Sequence, residues 1–471
     1  MKIMSVKAVP IDLAPRPTTP PRVEKDPDGG YFVSPMDRYS EDLPGRSWTD
    51  GWTKVACVVT AEDGTWGLGI SIASGPVCSI INDHFSEILT GQNPMATEKL
   101  WDLMRRASSP HGTAGIASYA ISAVDNAIWD LKGKLLGRPV YELLGGPVKK
   151  DIFCYASNTM LHYKTSDYLE WFLDLGFKAV KVFLRHGPED GIAGLNKNVE
   201  IVASAREQIG PDIELAVDSW MSLNVEYAVR VSEALKPYKI KWLEDYMLPE
   251  DMDSYAKLRS RVPGQTLATG EHWYTIHPFA DAAGRGLVDI LQPDIQWVGG
   301  VTASVRICHI AEAHGLTVIG HAGMNYPYGQ HLAYSMPVIP WGERSEGVSP
   351  PGVPLEEMTS LPGTPVIKDG YVRPSDAPGF GIEVTLDWLE DYMLPEDMDS
   401  YAKLRSRVPG QILATGEHWY TIHPFADAAG RGLVDILQPD IQWVGGVTAS
   451  VRICHIAEAH GLTVIGHAGM N

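Results

Sequence analysis

Ile213-Glu-Leu-Ala-Val-Asp218, Ile240-Lys-Trp-Leu-Glu244, Thr266-Leu-Ala-Thr-Gly-Glu271, Leu287-Val-Asp-Ile-Leu-Gln-Pro-Asp294 and Leu316-Thr-Val-Ile-Gly-His321 are five short apolar runs, each closed by a carboxylate or an imidazole. The closing residues follow one another at gaps of 26, 27, 23 and 27. A (β/α)8 barrel of ~250 residues spends roughly 30 on each strand, helix and pair of loops, and its catalytic side chains sit where strands end. Apolar runs of this length read as buried parallel strands. Between them, Val225-Glu-Tyr-Ala-Val-Arg-Val-Ser-Glu-Ala-Leu235 and Val301-Thr-Ala-Ser-Val-Arg-Ile-Cys-His-Ile-Ala-Glu-Ala313 carry helical spacing. Strands of one direction would set Asp218, Glu244, Glu271, Asp294 and His321 on one barrel face.

Around this centre the chain is of ordinary globular composition: 471 residues, 44% apolar and 21% charged, enough for a large core and more than one domain. The net charge of −19, with no Lys/Arg cluster, argues against nucleic acid and against an anionic membrane as partners. No run approaches the ~20 apolar residues of a membrane span, and the first ten residues lack a long apolar core. A cytosolic address is the expectation. Five widely spaced cysteines, Cys57, Cys78, Cys154, Cys308 and Cys454, suit a reducing compartment and neither a zinc cluster nor a disulfide frame.

Residues 1–150 follow a different pattern. Strand-like runs at 3–13, 54–60 and 66–70 precede helix-like segments, which predicts an α+β cap. The Pro-, Gly- and Asp-rich stretch 14–52 between the strands has the length and polarity of a binding loop. The barrel is expected over 151–375, with a return to the cap over 376–387. Residues 388–471 then repeat residues 242–325 with one difference, Ile412 for Thr266. Solenoid repeats diverge and stack in series of at least ~3. Two near-identical copies do not, so the tail reads as a recent or artefactual duplication without a function of its own.

The five closing residues suggest a chemistry. Any one strand-end carboxylate caps a helix or meets a base more often than it binds metal. Three in register, Asp218, Glu244 and Glu271, form an all-oxygen set that suits Mg²⁺. A carboxylate bonded to one imidazole nitrogen fixes the tautomer and raises basicity at the other, so Asp294 would prepare His321 to take a proton from carbon. Arg185, at the end of Lys178-Ala-Val-Lys-Val-Phe-Leu-Arg185, would either hold substrate oxygens in a bidentate grip or close a structural ion pair. Glu343, in Pro340-Trp-Gly-Glu343, is a further carboxylate on the rim. The other histidines His272, His277, His309 and His314 read as satisfied core or surface residues.

The helix Ala120-Ile-Ser-Ala-Val-Asp-Asn-Ala-Ile-Trp-Asp-Leu-Lys-Gly-Lys-Leu-Leu-Gly-Arg-Pro-Val-Tyr-Glu-Leu-Leu-Gly145 resembles the cap-to-barrel signature of the enolase superfamily, in its mandelate-racemase-like branch. The likeness covers residues 1 to about 387. Within the branch, Phe183-Leu-Arg-His-Gly-Pro-Glu-Asp-Gly191, Asp218-Ser-Trp-Met-Ser222, Trp242-Leu-Glu-Asp-Tyr-Met-Leu-Pro249 and Asn325-Tyr-Pro-Tyr-Gly-Gln-His331 resemble the L-rhamnonate dehydratases. The resemblance implies an α/β fold, a (β/α)7β TIM-like barrel with an N-terminal cap, and a homo-oligomer. It implies Mg²⁺ on Asp218, Glu244 and Glu271, the dyad Asp294–His321, Glu343 as an orienting group, and Arg46 of Pro44-Gly-Arg-Ser-Trp48 as a contact for the substrate carboxylate. Racemases of the branch carry Lys-x-Lys on the second barrel strand. Lys181-Val-Phe183 has Phe at the second place, which favours elimination from a sugar acid over two-base epimerisation. The competing expectations are an epimerase, a cycloisomerase, or a product inactivated by its tail.

Overall fold

The computed structural model describes all residues except 16, 26–31, 40–51, 158–162, 349, 387, 390–397, 418, 420–421, 442–443, 445 and 467–471. They fall into two compact units, Met1–Ala8 with Leu13–Val384, and Val9–Asp12 with Thr385–Asn471. Among the described residues no helix is long and apolar enough to cross a membrane. All five cysteines are free.

The cap sheet has the order β1 (Ile3–Ile11), β2 (Lys54–Ala61) and β3 (Trp66–Ser71), of which Ile3–Ala8 and the whole of β2 and β3 belong to the first unit. β2 and β3 pair antiparallel from Val55↔Ser71 to Thr60↔Trp66, around a turn where Gly64 takes φ +86°. Onto β3 packs the 21-residue helix Ile116–Leu136, and the contact is close enough to specify glycine. A Cβ at Gly67 or Gly69 would overlap the carbonyl oxygens of Ala127 and Ala123. The opposite face of the same helix caps a barrel helix, Gly300–Ala313. Asp125 accepts from the Thr302 N–H at 2.8 Å and from its hydroxyl at 2.8 Å, and Ser122 Oγ accepts from the Gly299 and Gly300 amides at 2.8 and 3.1 Å. Each such cap contributes about 1 kcal/mol, and together they fix the cap against the barrel.

Eight parallel strands follow: β4 (Ile152–Ser157), β5 (Ala179–Phe183), β6 (Glu214–Asp218), β7 (Leu243–Glu244), β8 (Leu267–Thr269), β9 (Ile290–Leu291), β10 (Thr317–Val318) and β11 (Trp341–Arg344). Their order is β10-β9-β8-β7-β6-β5-β4-β11, with β12 (Tyr371–Val372) antiparallel on β4. Ladders join every neighbour in that order, and backbone bonds from Val318 N–H to Val338 and from Met324 N–H to Glu343 tie the region of β10 to that of β11. Inside, Tyr155, Ala179, Ala216, Trp242, Ala268, Ile290, Ile319 and Trp341 form one apolar layer with a residue from each strand or its end. This is the expected TIM-like barrel, with small residues beside large ones to fill the lumen.

The ladders are shorter than the apolar runs that announced them. Asp218 and Glu244 are the last residues of their strands, whereas Glu271, Asp294 and His321 lie two or three positions beyond theirs. Gly270 at φ +132° ends β8, and Pro293 has no N–H for a ladder after β9. The return segment runs back to the cap, where Phe380 N–H meets Asp130 at 2.9 Å and Val140 N–H meets the Gly379 carbonyl at 2.8 Å.

The second unit holds β13 (Ala414–Thr415), β14 (Ile436–Leu437) and β15 (Thr463–Val464), parallel and in that order. Its helices are Met398–Arg407, Ile422–Gly430 and Gly446–His460. A small core forms around Trp419, Phe425, Leu433, Leu437 and Ile453. Identical side chains fare differently in the two copies. Val301 is fully buried and Ile319 is 2% exposed, but their counterparts Val447 and Ile465 are 68% and 49% exposed. Apolar surface left open in this way promotes association. Truncation after residue 387 is therefore expected to raise soluble yield and to leave the principal unfolding transition in place. Calorimetry and size-exclusion chromatography of both forms check this; a lower midpoint in the shortened chain would show that the tail supports the barrel.

Candidate active site

At the carboxyl ends of the strands, Lys181 on β5 is the centre of a buried ion cluster. Residues 179, 181 and 183 alternate into the lumen, so an ammonium at 181 points among the inward carboxylates of neighbouring strands. Its Nζ lies 2.9 Å from Asp218 Oδ2 and 2.8 Å from Glu343 Oε1, and it also pairs with Glu244. Burial alone would lower the Lys181 pKa; Asp218, Glu244 and Glu343 outweigh it and hold the group well above the usual lysine range. The carboxylates have further donors. Asp218 accepts from the Trp220 N–H at 2.9 Å, Glu244 from Trp242 Nε1 at 2.6 Å, and Glu343 from the Ala322 N–H at 2.7 Å. For Glu343 burial would raise the pKa, but Lys181 and His321 pull it down to about 2.

Glu271 completes the cluster. Oxygens of Asp218, Glu244 and Glu271 lie within 4.8 Å of one another, with all three residues buried. Three carboxylates, those of Asp218, Glu244 and Glu343, thus meet one ammonium, with Glu271 beside them. An all-oxygen donor set with an excess of negative charge fits a hard divalent cation. Burial pushes Glu271 up to about 7, against the opposing pull of His321.

His321 sits on the other side of Glu271, with Nε2 3.6 Å from Glu271 Oε2 and Nδ1 2.8 Å from Asp294 Oδ2. Asp294 is itself fixed by the Gln296 N–H at 2.7 Å, and the Trp297 ring lies 4.9 Å from the imidazole. Thus Nδ1 is committed to Asp294 and Nε2 faces the carboxylates. Burial would depress the His321 pKa; Glu271, the Asp294 hydrogen bond and Glu343 override it and raise it to about 10.

The backbone turns sharply just past these residues. Trp220, Met221, Asp245 and Ala322 adopt positive φ of 37°, 61°, 41° and 47°, a region that costs side-chain-bearing residues on the order of 1–3 kcal/mol each. Asp245 directly follows Glu244 and Ala322 directly follows His321, while Trp220 and Met221 come two and three residues after Asp218.

The structure brings together Asp218, Glu244, Glu271, Asp294, His321 and Glu343. Arg185 is placed elsewhere. Asn198 Oδ1 accepts from the Arg185 and His186 amides at 3.0 and 3.2 Å, turning the segment toward the helix Gly191–Ile209. Its side chain lines a surface groove with Lys164, Lys197 and Gln208, none of which belongs to the cluster. Arg46 lies outside the described residues. Two residues with a place at the site were not singled out from sequence. Lys181 is one: it entered only as the first position of Lys-x-Lys and was given no role, although a lysine inside an apolar strand, on the lumen-facing alternation, was its signal. The other is His272, whose Nδ1 lies 3.1 Å from Asp245 Oδ2 and 3.4 Å from Glu271 Oε1. It is satisfied, as expected, but beside the cluster. From the cap, Phe32 packs on Phe183 and Trp220 at ring separations of 5.3 and 5.0 Å, while Val33 N–H bonds the Leu184 carbonyl, walling the mouth of the barrel.

Residues 50–145 match the family described as mandelate racemase / muconate lactonizing enzyme, N-terminal domain, and residues 166–387 match the enolase C-terminal domain-like family. The chain belongs to the enolase superfamily. The C-terminal family matches a second time over residues 383–471, so the tail is a partial second copy of an enolase-superfamily barrel. An L-rhamnonate dehydratase of Saccharopolyspora erythraea is 39% identical over 363 residues, 75% of this chain and 89% of that protein. A putative L-rhamnonate dehydratase of Caldivirga maquilingensis is 40% identical over 364 residues, 76% of this chain and 89% of that protein. The crystal structure of L-rhamnonate dehydratase from Gibberella zeae complexed with Mg matches with a TM-score of 0.73 and 29% identity, covering 83% of this chain and 96% of that one. Among enolase-superfamily proteins, then, this one is similar to L-rhamnonate dehydratases over about three quarters of its length.

Proposed function

We propose that the protein dehydrates a sugar acid, with L-rhamnonate the first substrate to test, to a 2-keto-3-deoxy acid. The observation that carries this reading is a single imidazole base: His321, oriented by Asp294, faces the carboxylate cluster, and Phe183 occupies the opposing strand position. Support for the substrate class comes from the dehydratase relatives. Asp218, Glu244 and Glu271 would hold Mg²⁺, which when bound supplies positive charge to the substrate's carboxylate oxygens and offsets the carboxylate field at His321.

His321 Nε2 removes the proton from C2, and Asp294 stabilises the imidazolium through Nδ1. The same Nε2–H then gives its proton to the hydroxyl leaving C3. Water departs, a C2–C3 double bond forms, and the resulting enol tautomerises to the ketone. The balance is one aldonate in, one keto acid and one water out. Lys181 is held by three carboxylates, so it keeps the ligand set in place and is not aimed at C2 as a second base. Glu343, bonded to the Ala322 N–H, fixes the turn that carries His321.

Purified protein is expected to form a 2-keto acid from at least one aldonate, to lose that turnover on EDTA treatment, and to regain it with Mg²⁺. A panel of aldonates followed by a carbonyl-specific reagent makes the measurement. Deuterium entering C2 with no water lost would point to an epimerase and overturn the dehydratase reading.

A further inference from the structure

The loops after β10 and β11 are bonded to each other along their length. Asn325 Oδ1 accepts from the Ser345 and Glu346 amides at 2.8 and 3.0 Å, and Asn325 Nδ2 donates to Ser345 Oγ at 2.7 Å. Met324 N–H donates to the Glu343 carbonyl at 2.8 Å, and Arg344 reaches back to the Met324 carbonyl. His321 is carried at one end of this pair and Glu343 at the other, so hydrogen bonds link the segment of the base to that of the carboxylate. What couples these loops to the cap is less obvious from sequence. Lys54, the first residue of β2, extends its ammonium between Tyr326 and Glu346. It bonds the Tyr326 hydroxyl, lies 3.0 Å from Glu346 Oε1, and sits 4.9 Å above the Tyr326 ring. Ser360 Oγ donates to the second Glu346 oxygen at 2.8 Å, so that carboxylate is held from both sides. Tyr326 is 4% exposed and the Lys54 side chain 29%, which places the ion pair out of bulk water without sealing it.

We propose that Lys54 is a positioning residue: by clamping Tyr326 and Glu346 it sets the paired loops that carry His321 and Glu343 at a fixed height beneath the cap. This rests on the dehydratase reading above. Its chemical logic is the steep dependence of proton transfer on distance, since a displacement of 1 Å can cost ~10²-fold in rate. A partly shielded ammonium–carboxylate pair with a phenol as third member holds such a height more firmly than an apolar contact, because charge-assisted hydrogen bonds are shorter and stronger than neutral ones.

The test compares Lys54→Met, Lys54→Arg and Tyr326→Phe with the unmodified full-length protein. The expected result is a fall of about 10- to 100-fold in kcat/KM for Lys54→Met. A smaller fall in the same direction is expected for Tyr326→Phe, which keeps the ring and loses only the hydroxyl, and partial recovery for Lys54→Arg. In each variant kcat should change more than KM, because the base is displaced and the substrate's binding groups are not. Amide hydrogen exchange should quicken at residues 321–327 and 343–347. Should Lys54→Met fail to fold, Tyr326→Phe carries the test. Variants that melt lower but keep native kcat and native exchange at those loops overturn the proposal, leaving Lys54 a stabilising contact. If the unmodified protein turns over no aldonate, the dehydratase reading fails by itself, and the exchange measurement alone decides whether Lys54 holds the loops.

Discussion

Replacing His321 by Asn is expected to lower 2-keto acid formation by ~10³-fold or more and to abolish deuterium exchange at C2 in the same proportion. Asn is close to His in size, and its amide can take the place of the Nδ1 that lies 2.8 Å from Asp294, so the pocket is expected to keep its shape. What it cannot do is accept a proton. General acid–base catalysis contributes typically 10²–10⁴-fold per step, and here one ring serves both the abstraction at C2 and the departure at C3. The loss should therefore lie toward the upper end of that range, with KM little changed, because substrate binding is assigned to other groups. A variant that loses dehydration but retains C2 exchange would move the base away from His321.

Replacing Lys181 by Met is expected to affect the fold before the chemistry. Met preserves much of the volume and removes the charge, leaving Asp218, Glu244 and Glu343 buried around a missing cation. Breaking a buried ion pair by deleting one partner costs about 3–5 kcal/mol. That loss should show as a clear fall in the unfolding midpoint in EDTA. Mg²⁺ should return part of it, since a ligand at 100 times its Kd stabilises the native state by ~2.7 kcal/mol. Melting curves with and without Mg²⁺ read both effects. An unchanged midpoint in EDTA would mean that the three carboxylates share protons or take up another cation, and that Lys181 is not their counter-charge.

Where each part of this molecule could be read in advance follows from how local its cause is. Strand ends at Asp218 and Glu244 were legible because an apolar run and its terminal carboxylate are neighbours in sequence. The helix read over residues 120–145 was legible only in part: it runs over Ile116–Leu136, and Gly137 at φ +63° ends it before a separate short helix at Val140–Leu143. Lys181 was harder. Its partners lie on β6, β7 and β11, and no pattern within its own strand shows which carboxylates a barrel will bring to it. Arg185 shows the converse. It stands where strand alternation would aim it inward, but Asn198, on the next helix, captures its amide and turns the chain outward. The placement of His272 beside Glu271 likewise depends on Asp245, which is 27 residues earlier.

The repeated stretch offers a comparison that protein chains seldom provide, the same residues folded twice with and without their surroundings. In both places the strand register is the same: Ala268 faces Ile290 as Ala414 faces Ile436, and Leu291 faces Val318 as Leu437 faces Val464. Alignment of these strands is thus encoded within the segment, while burial of its outer and inner faces is supplied by the rest of the barrel. A stretch with that property is a transferable unit. Copied to a new position in a gene, it arrives already knowing its own internal geometry, and selection then has only its surfaces left to fit.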